Sequence, residues 1–167
     1  MGRLRPSATI AEVGVVAALY AALTVLLQPA SYGPLQFRVA EVLKPLVIWE
    51  PHLIAAFVLG NLLGNLASPY AGPWELAFMP LVNLLGAWGC HALGRRAPYA
   101  GAALYAVVVA AAVALMLAVL TRTPYGVLFP ALLASEMILI VGGVPVMRVV
   151  LRAVEPARRR WRPHPES

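Results

Sequence analysis

Aspartate is absent from this sequence, and all seven acidic residues are glutamates. That absence argues against intramembrane proteases and signal peptidases that need an aspartate pair. There is one cysteine, Cys90, so no internal disulfide and no cysteine metal cluster can form. Its neighbour His91 would lie about 100° away around a helix, a poor ligand set. Cys90 therefore reads as a small apolar filler. No His-Glu-x-x-His stretch occurs, which leaves zincin chemistry unsupported, and no Gly-x-x-x-x-Gly-Lys-Ser/Thr loop is available for an ATPase. His52, His91 and His164 fall near the expected cytoplasmic helix ends or in the tail, far from Ser31, Ser68 and Ser135 on the opposite side. A Ser–His nucleophile pair has no geometry there. No catalytic residue, metal site or cofactor is expected.

Charge is also scarce. Only 12% of the 167 residues are charged, 61% are hydrophobic, and the mean hydropathy is +0.79. Such a composition excludes an ordinary soluble domain and points to one compact helical membrane domain. The net charge of +6 does not signal nucleic acid, because the basic residues are partitioned by membrane side. Arg3 and Arg5 precede the first apolar run, Arg95 and Arg96 occupy a central loop, and Arg148, Arg152, Arg158, Arg159, Arg160 and Arg162 close the chain. Only Arg122 falls in a loop of the opposite parity. This bias predicts that both termini are cytoplasmic. The first run is too long for the apolar core of a secretory signal.

Six helical spans fit the length, at about 8–28, 36–49, 51–67, 74–93, 99–120 and 127–153. The second is short, polar and interrupted by Pro45. The fourth is expected to kink near Pro80. Residues 1–155 are assigned to the membrane domain and 156–167 to a basic cytoplasmic tail.

Within the apolar background, Arg38, Glu41 and Lys44 recur at steps of three. If helical, they keep to one face within an arc of about 120°. Ionisable groups at membrane depth cost about 2.5–3.5 kcal/mol each on insertion scales, so such a stripe has a use. Five glutamates lie at or near membrane depth. Glu12, Glu50 and Glu75 read as solvated or helix-end charges. Glu41 and Glu136 read as buried in the outer half of their spans, where they meet across the bundle. A ligand site is favoured over a structural ion pair of Arg38 with Glu41 or Glu136. Asn61 and Asn65, one turn apart, add amides, as does Asn83. Phe37, Tyr32, Tyr70, Trp74 and Phe129 form either an interfacial belt or a stacking wall. On the first span, Gly14, Ala18 and Ala22 form a small-residue stripe, suited either to packing inside the bundle or to docking a second membrane protein.

The runs ALYAALT (Ala18–Thr24), SYGPLQFRVAE (Ser31–Glu41) and GNLLGNLASP (Gly60–Pro69), with Ser135-Glu136 followed by Gly142, Gly143 and Pro145, resemble the QueT family. The resemblance covers nearly the whole chain. It implies a six-helix substrate-binding (S) component of an energy-coupling factor (ECF) uptake transporter for queuosine precursors. It further implies a ligand bound from outside under the first loop. Docking on an ECF transmembrane subunit would use the Gly14, Ala18, Ala22 stripe, and two ATPase subunits would drive release. The implied ligand is a 7-deazaguanine such as preQ0 or preQ1, held by Arg38, Glu41, Glu136, Asn65, Asn61 and Phe37. The sequence departs from the family pattern in two places. Lys44-Pro45 stands where a neutral stretch follows the FRxxE block, and the fifth span lacks the polar residues expected near such a ligand. The competing readings are an S component for another vitamin-like solute and a structural membrane subunit. The protein is expected in a prokaryotic plasma membrane.

Overall fold

The computed structural model describes residues 5–27 and 37–159. The expectations for Ser31, Tyr32, the first loop and most of the basic tail lie outside these residues. The described residues are all helical, with no strand among them. In chain order the elements are α1 (Pro6–Leu26), the 3₁₀ helix α2 (Val39–Ile48), α3 (Leu53–Asn65), α4 (Trp74–Gly94), α5 (Pro98–Thr121) and α6 (Tyr125–Arg159). Four of them, α1, α4, α5 and α6, are long and apolar enough to cross a membrane. This is the expected six-helix membrane bundle.

The two short helices differ from a simple span. The ten residues of α2 form a continuous 3₁₀ helix with Pro45 inside it. Proline lacks an N–H, and its ring would meet the carbonyl of Glu41 four residues back in an α-helix. Ten residues at about 2.0 Å rise reach about 20 Å, short of a hydrocarbon core of about 30 Å. The segment expected at 36–49 is thus a short buried helix rather than a regular span. Seven of its ten residues are buried, Lys44 completely.

Prolines also explain the irregular turns of the long helices. The first turn of α4, Trp74–Phe78, is π-helical, and so is Met137–Val141 in the middle of α6. Pro80 would clash with the carbonyl of Leu76, and Pro145 with that of Val141, so each helix widens one turn ahead of its proline. The sequence anticipates the first of these. Helix α6 runs on through Pro156 to Arg159, so the first residues assigned to the tail continue the last helix.

Close packing depends on small residues, as expected where lipid offers no contrast in polarity. On α3, a Cβ at Gly60 would sit 2.9 Å from the carbonyl oxygen of Ala17 and 3.1 Å from the Tyr20 side chain. Gly143 of α6 has no room for a Cβ either, because the carbonyl of Val42 in α2 lies against it. These two contacts seat α2 and α3 among the long helices.

Candidate functional site

The charged stripe of α2 faces inward. In a 3₁₀ helix residues three apart eclipse one another, so Arg38, Glu41 and Lys44 line up more closely than an α-helix would place them. Arg38 caps the helix at 4% exposure, Glu41 is 1% exposed and Lys44 is fully buried. The i,i+3 spacing brings Lys44 Nζ onto Glu41 Oε2 as an ion pair. The phenol of Tyr20, from α1, donates to Glu41 Oε1 at 2.5 Å.

Arg38 reaches the other way. Its guanidinium donates to Asn65 Oδ1 at 3.2 Å and pairs with Glu75 Oε1 at 3.5 Å. Asn65 donates in turn to Asn61 Oδ1 at 3.3 Å and to the carbonyl of Glu75 at 3.0 Å. The end of α3, the start of α2 and the π-helical turn of α4 are joined by this network. The expected ion pairs of Arg38 with Glu41 or Glu136 give way to Arg38 with Glu75 and Lys44 with Glu41. The physical reason is that Lys44 lies inside α2, one 3₁₀ turn from Glu41, whereas Arg38 is the extended cap before the helix and its side chain reaches away to Asn65 and Glu75.

Glu75 is the residue that sequence reasoning misplaced. It was expected as a solvated helix-end charge, and it is fully buried. Its position two residues after Pro73 suggests a helix start, but the π turn swings it inward. Tyr105 was missed as well. The fifth span, expected to be without polar residues, turns this buried phenol inward, where it donates to Asn83 Oδ1 at 3.0 Å. Lys44 Nζ lies 4.7 Å from the centre of the Tyr105 ring, a cation–π contact. A Tyr in an apolar helix with no charge to flag it carries little sequence signal.

Glu136 occupies the last α-helical position before the π turn of α6 and is 3% exposed. It faces the side chain of Glu41 across the α2–α6 contact. The meeting of these two carboxylates is as expected. Neither Glu136 Oε2 nor the hydroxyl of the buried Ser135 has a hydrogen-bond partner among the described residues, and the same holds for Glu75 Oε2. Unmet polar atoms at such depth are expensive, by about 1–3 kcal/mol each and more when charged. The carboxylate oxygens can accept a hydrogen bond, and the Ser135 hydroxyl can donate or accept one. Phe37 is 36% exposed and stands outside this buried network, next to Arg38 in the chain. Trp74 and Phe78 pack edge to face at 5.3 Å on the same π turn as Glu75.

A second cluster lies at the other end of the bundle. Arg158, near the end of α6, donates to Glu50 Oε1 at 2.6 Å and to Glu12 Oε2 at 3.2 Å. His52 Nε2 lies 3.0 Å from Glu12 Oε2. Glu12 and Glu50, expected as solvated charges, are thus tied into one network. On α1, Gly14, Ala18 and Ala22 are all exposed, and a Cβ at Gly14 would meet nothing within 4 Å. Internal packing of α1 uses Ala17, Tyr20 and Thr24 instead. Beside the outward face runs an apolar groove of about 590 Å³ between α1 and α6, lined by Ala11, Val15, Leu19, Val150 and Val154 among others.

The described residues contain no group of three or more His, Cys or Glu placed to hold a metal ion. Charged groups buried across three helices of a membrane bundle, with acceptors unmet, have the character of a solute site. The family model described as the QueT transporter matches residues 10–152. Neither a curated protein nor a solved structure matches the chain. With six helices, four of them able to cross a membrane, and a match over most of its length, this chain belongs to the QueT transporter family and is a multi-pass membrane transport protein, not an enzyme.

Proposed function

We propose that this chain is the substrate-binding component of an ECF-type uptake transporter in a prokaryotic plasma membrane, with both termini cytoplasmic, and that it binds a 7-deazaguanine queuosine precursor, preQ0 or preQ1. The observation that carries the reading is the buried carboxylate pair Glu41 and Glu136, with the Glu136 oxygen and the Ser135 hydroxyl unmet. A guanine-like edge offers N1–H and an exocyclic amine, and one carboxylate accepts both. The guanidinium of Arg38, held by Glu75 and Asn65, donates to the ring carbonyl. Lys44 neutralises Glu41 while the site is empty. Phe37, next to Arg38 in the chain, supplies a face for stacking.

The exposed stripe of Gly14, Ala18 and Ala22 supports docking on an ECF transmembrane subunit, because small side chains let a second backbone approach. The apolar groove beside it gives room for an incoming helix. The two ATPase subunits are partners of that assembly, since this chain has no P-loop.

Titration calorimetry of the detergent-purified protein with preQ0 and preQ1 tests the ligand. Binding of either supports the reading. If both are ignored and another vitamin-like solute binds, the substrate is wrong and the transporter role stands. A protein that binds no solute, with variants that change only stability, is a structural subunit. Docking is tested by Gly14→Leu and Ala18→Leu. Both should lose copurification with the transmembrane subunit while the isolated chain folds and binds as before. Unfolding of both would return the stripe to internal packing.

A further inference from the structure

The charges buried in the site do not balance. Arg38 and Lys44 supply two positive charges, and Glu41, Glu75 and Glu136 supply three negative ones. All five are less than a tenth exposed. Two of the carboxylates are matched by direct ion pairs, Lys44 with Glu41 and Arg38 with Glu75. Glu136 is the third, and its Oε2 has no hydrogen-bond partner among the described residues.

No other group among the described residues makes up the difference. The charged groups facing Glu136 are Glu41, Lys44 and Arg38, all from α2 and its cap. Tyr20 of α1 and Tyr105 of α5 face it as phenols, and α5 brings no basic side chain between its ends. Residues 28–36, which join α1 to α2, include no acidic or basic residue. Arg158 is twenty-two residues further along α6, about 33 Å at 1.5 Å per residue, and is held by Glu12 and Glu50. A net charge buried at this depth is far more costly than one transferred proton. A buried carboxyl group that faces another carboxylate and lacks a cation of its own, as Glu136 does, settles the deficit by holding a proton.

We infer that the empty site holds one proton on Glu136, the carboxyl group left without a cation, and that the site selects a singly cationic ligand, whose ammonium group displaces this proton. In the exchange the ligand enters with its positive charge, Glu136 becomes a carboxylate against it, and one proton leaves to solvent. A neutral isostere of the same ring leaves the proton in place and forgoes the charge-assisted contact. This rests on the solute-site reading of the same residues. It sharpens that reading from a flat heterocycle to a flat heterocycle bearing an amine.

The two queuosine precursors provide the matched pair, because preQ1 carries an aminomethyl group and preQ0 a neutral nitrile at the same position. Calorimetry at neutral pH in two buffers of different ionisation enthalpy counts the protons released. The expected result is about one proton per preQ1 bound and none per preQ0, with preQ1 tighter by at least about tenfold, or about 1.4 kcal/mol. Equal affinities with no proton release overturn the inference while leaving the proposed function intact. Infrared spectroscopy of the empty protein gives a reading that needs no ligand. A protonated-carboxyl C=O band should be present in the wild type and absent from Glu136→Gln. If neither compound binds, the proposed substrate falls, and this band decides the charge deficit alone. Its presence supports the deficit, and its absence at neutral pH overturns it. The proton count uses only wild-type protein, so a variant that fails to fold does not stop the test.

Discussion

Two clusters of charge lie in this bundle, and they are built on opposite plans. In the first, Arg38, Glu41, Lys44, Glu75 and Glu136 are all buried, and carboxylate oxygens of Glu75 and Glu136 are unmet. In the second, Glu12, His52 and Arg158 are partly open and Glu50 is buried at 8%, and both glutamates have partners, while Arg158 Nε has no hydrogen-bond partner among the described residues. The second cluster ties α1, α6 and the link between α2 and α3 together, and each of its carboxylates has a hydrogen-bonded partner. The first spans α2, α4 and α6 and has acceptors to spare. Satisfied charge near the surface is a fastening. Unsatisfied carboxylates at depth are what the proposed solute site rests on, because their desolvation is costly until a donor or a proton meets them.

The largest effect should come from Arg38→Ala. It strands Glu75 without its counter-charge and removes a donor from Asn65, so the empty protein should lose about 3–5 kcal/mol and solute binding should disappear. Thermal melting and calorimetry on the same preparation check both. Retained stability would show that Glu75 finds another partner. Glu136→Gln sharpens the contrast differently. It should weaken binding by at least about tenfold, since about 1.4 kcal/mol is one decade, while the melting temperature of the empty protein changes little. A variant that melts much lower and binds normally would recast Glu136 as a fastening.

Tyr20→Phe removes the single hydrogen bond to Glu41 Oε1. A loss of about 1–2 kcal/mol in stability is expected, with binding reduced by less than in Glu136→Gln. Denaturation midpoints and affinities, compared across the three variants, give the order. Arg158→Ala should have the smallest effect, about 1 kcal/mol or less, because its partners stay partly solvated. Solute affinity should be unchanged. Loss of binding in this variant would break the comparison, since it would couple the two ends of the bundle.

Much of this was legible in the sequence. Composition and arginine placement pointed to a helical membrane protein, because a bilayer admits helices and penalises scattered charge. The i,i+3 run of Arg38, Glu41 and Lys44 stood out from spacing alone and Glu136 from its apolar surroundings, and the structure buries all four. Asn61 and Asn65 were expected on one face, and the structure joins them by a hydrogen bond. Pairing was not legible. Whether Glu41 takes Arg38 or Lys44 depends on where α2 begins and on what other helices offer: Arg38 is an extended cap engaged by Asn65 and Glu75, which leaves Lys44 to Glu41. Glu75 and Tyr105 were hidden for a related reason. Their inward direction follows from a widened turn and from helix packing, which periodicity does not encode.

What the sequence determined by itself is the class of the protein: an apolar helical chain with a few costly charges and a small-residue stripe. Each of these is a property of residue type and spacing, so no neighbour is needed to read it. The tertiary structure alone decided that the stripe of Gly14, Ala18 and Ala22 faces outward while Ala17, Tyr20 and Thr24 pack inward. It alone brought five charges from three helices into one site with a carboxylate in excess. Burial and charge balance are sums over neighbours from distant parts of the chain, and only the folded arrangement of α2 against α4 and α6 sets which neighbours those are.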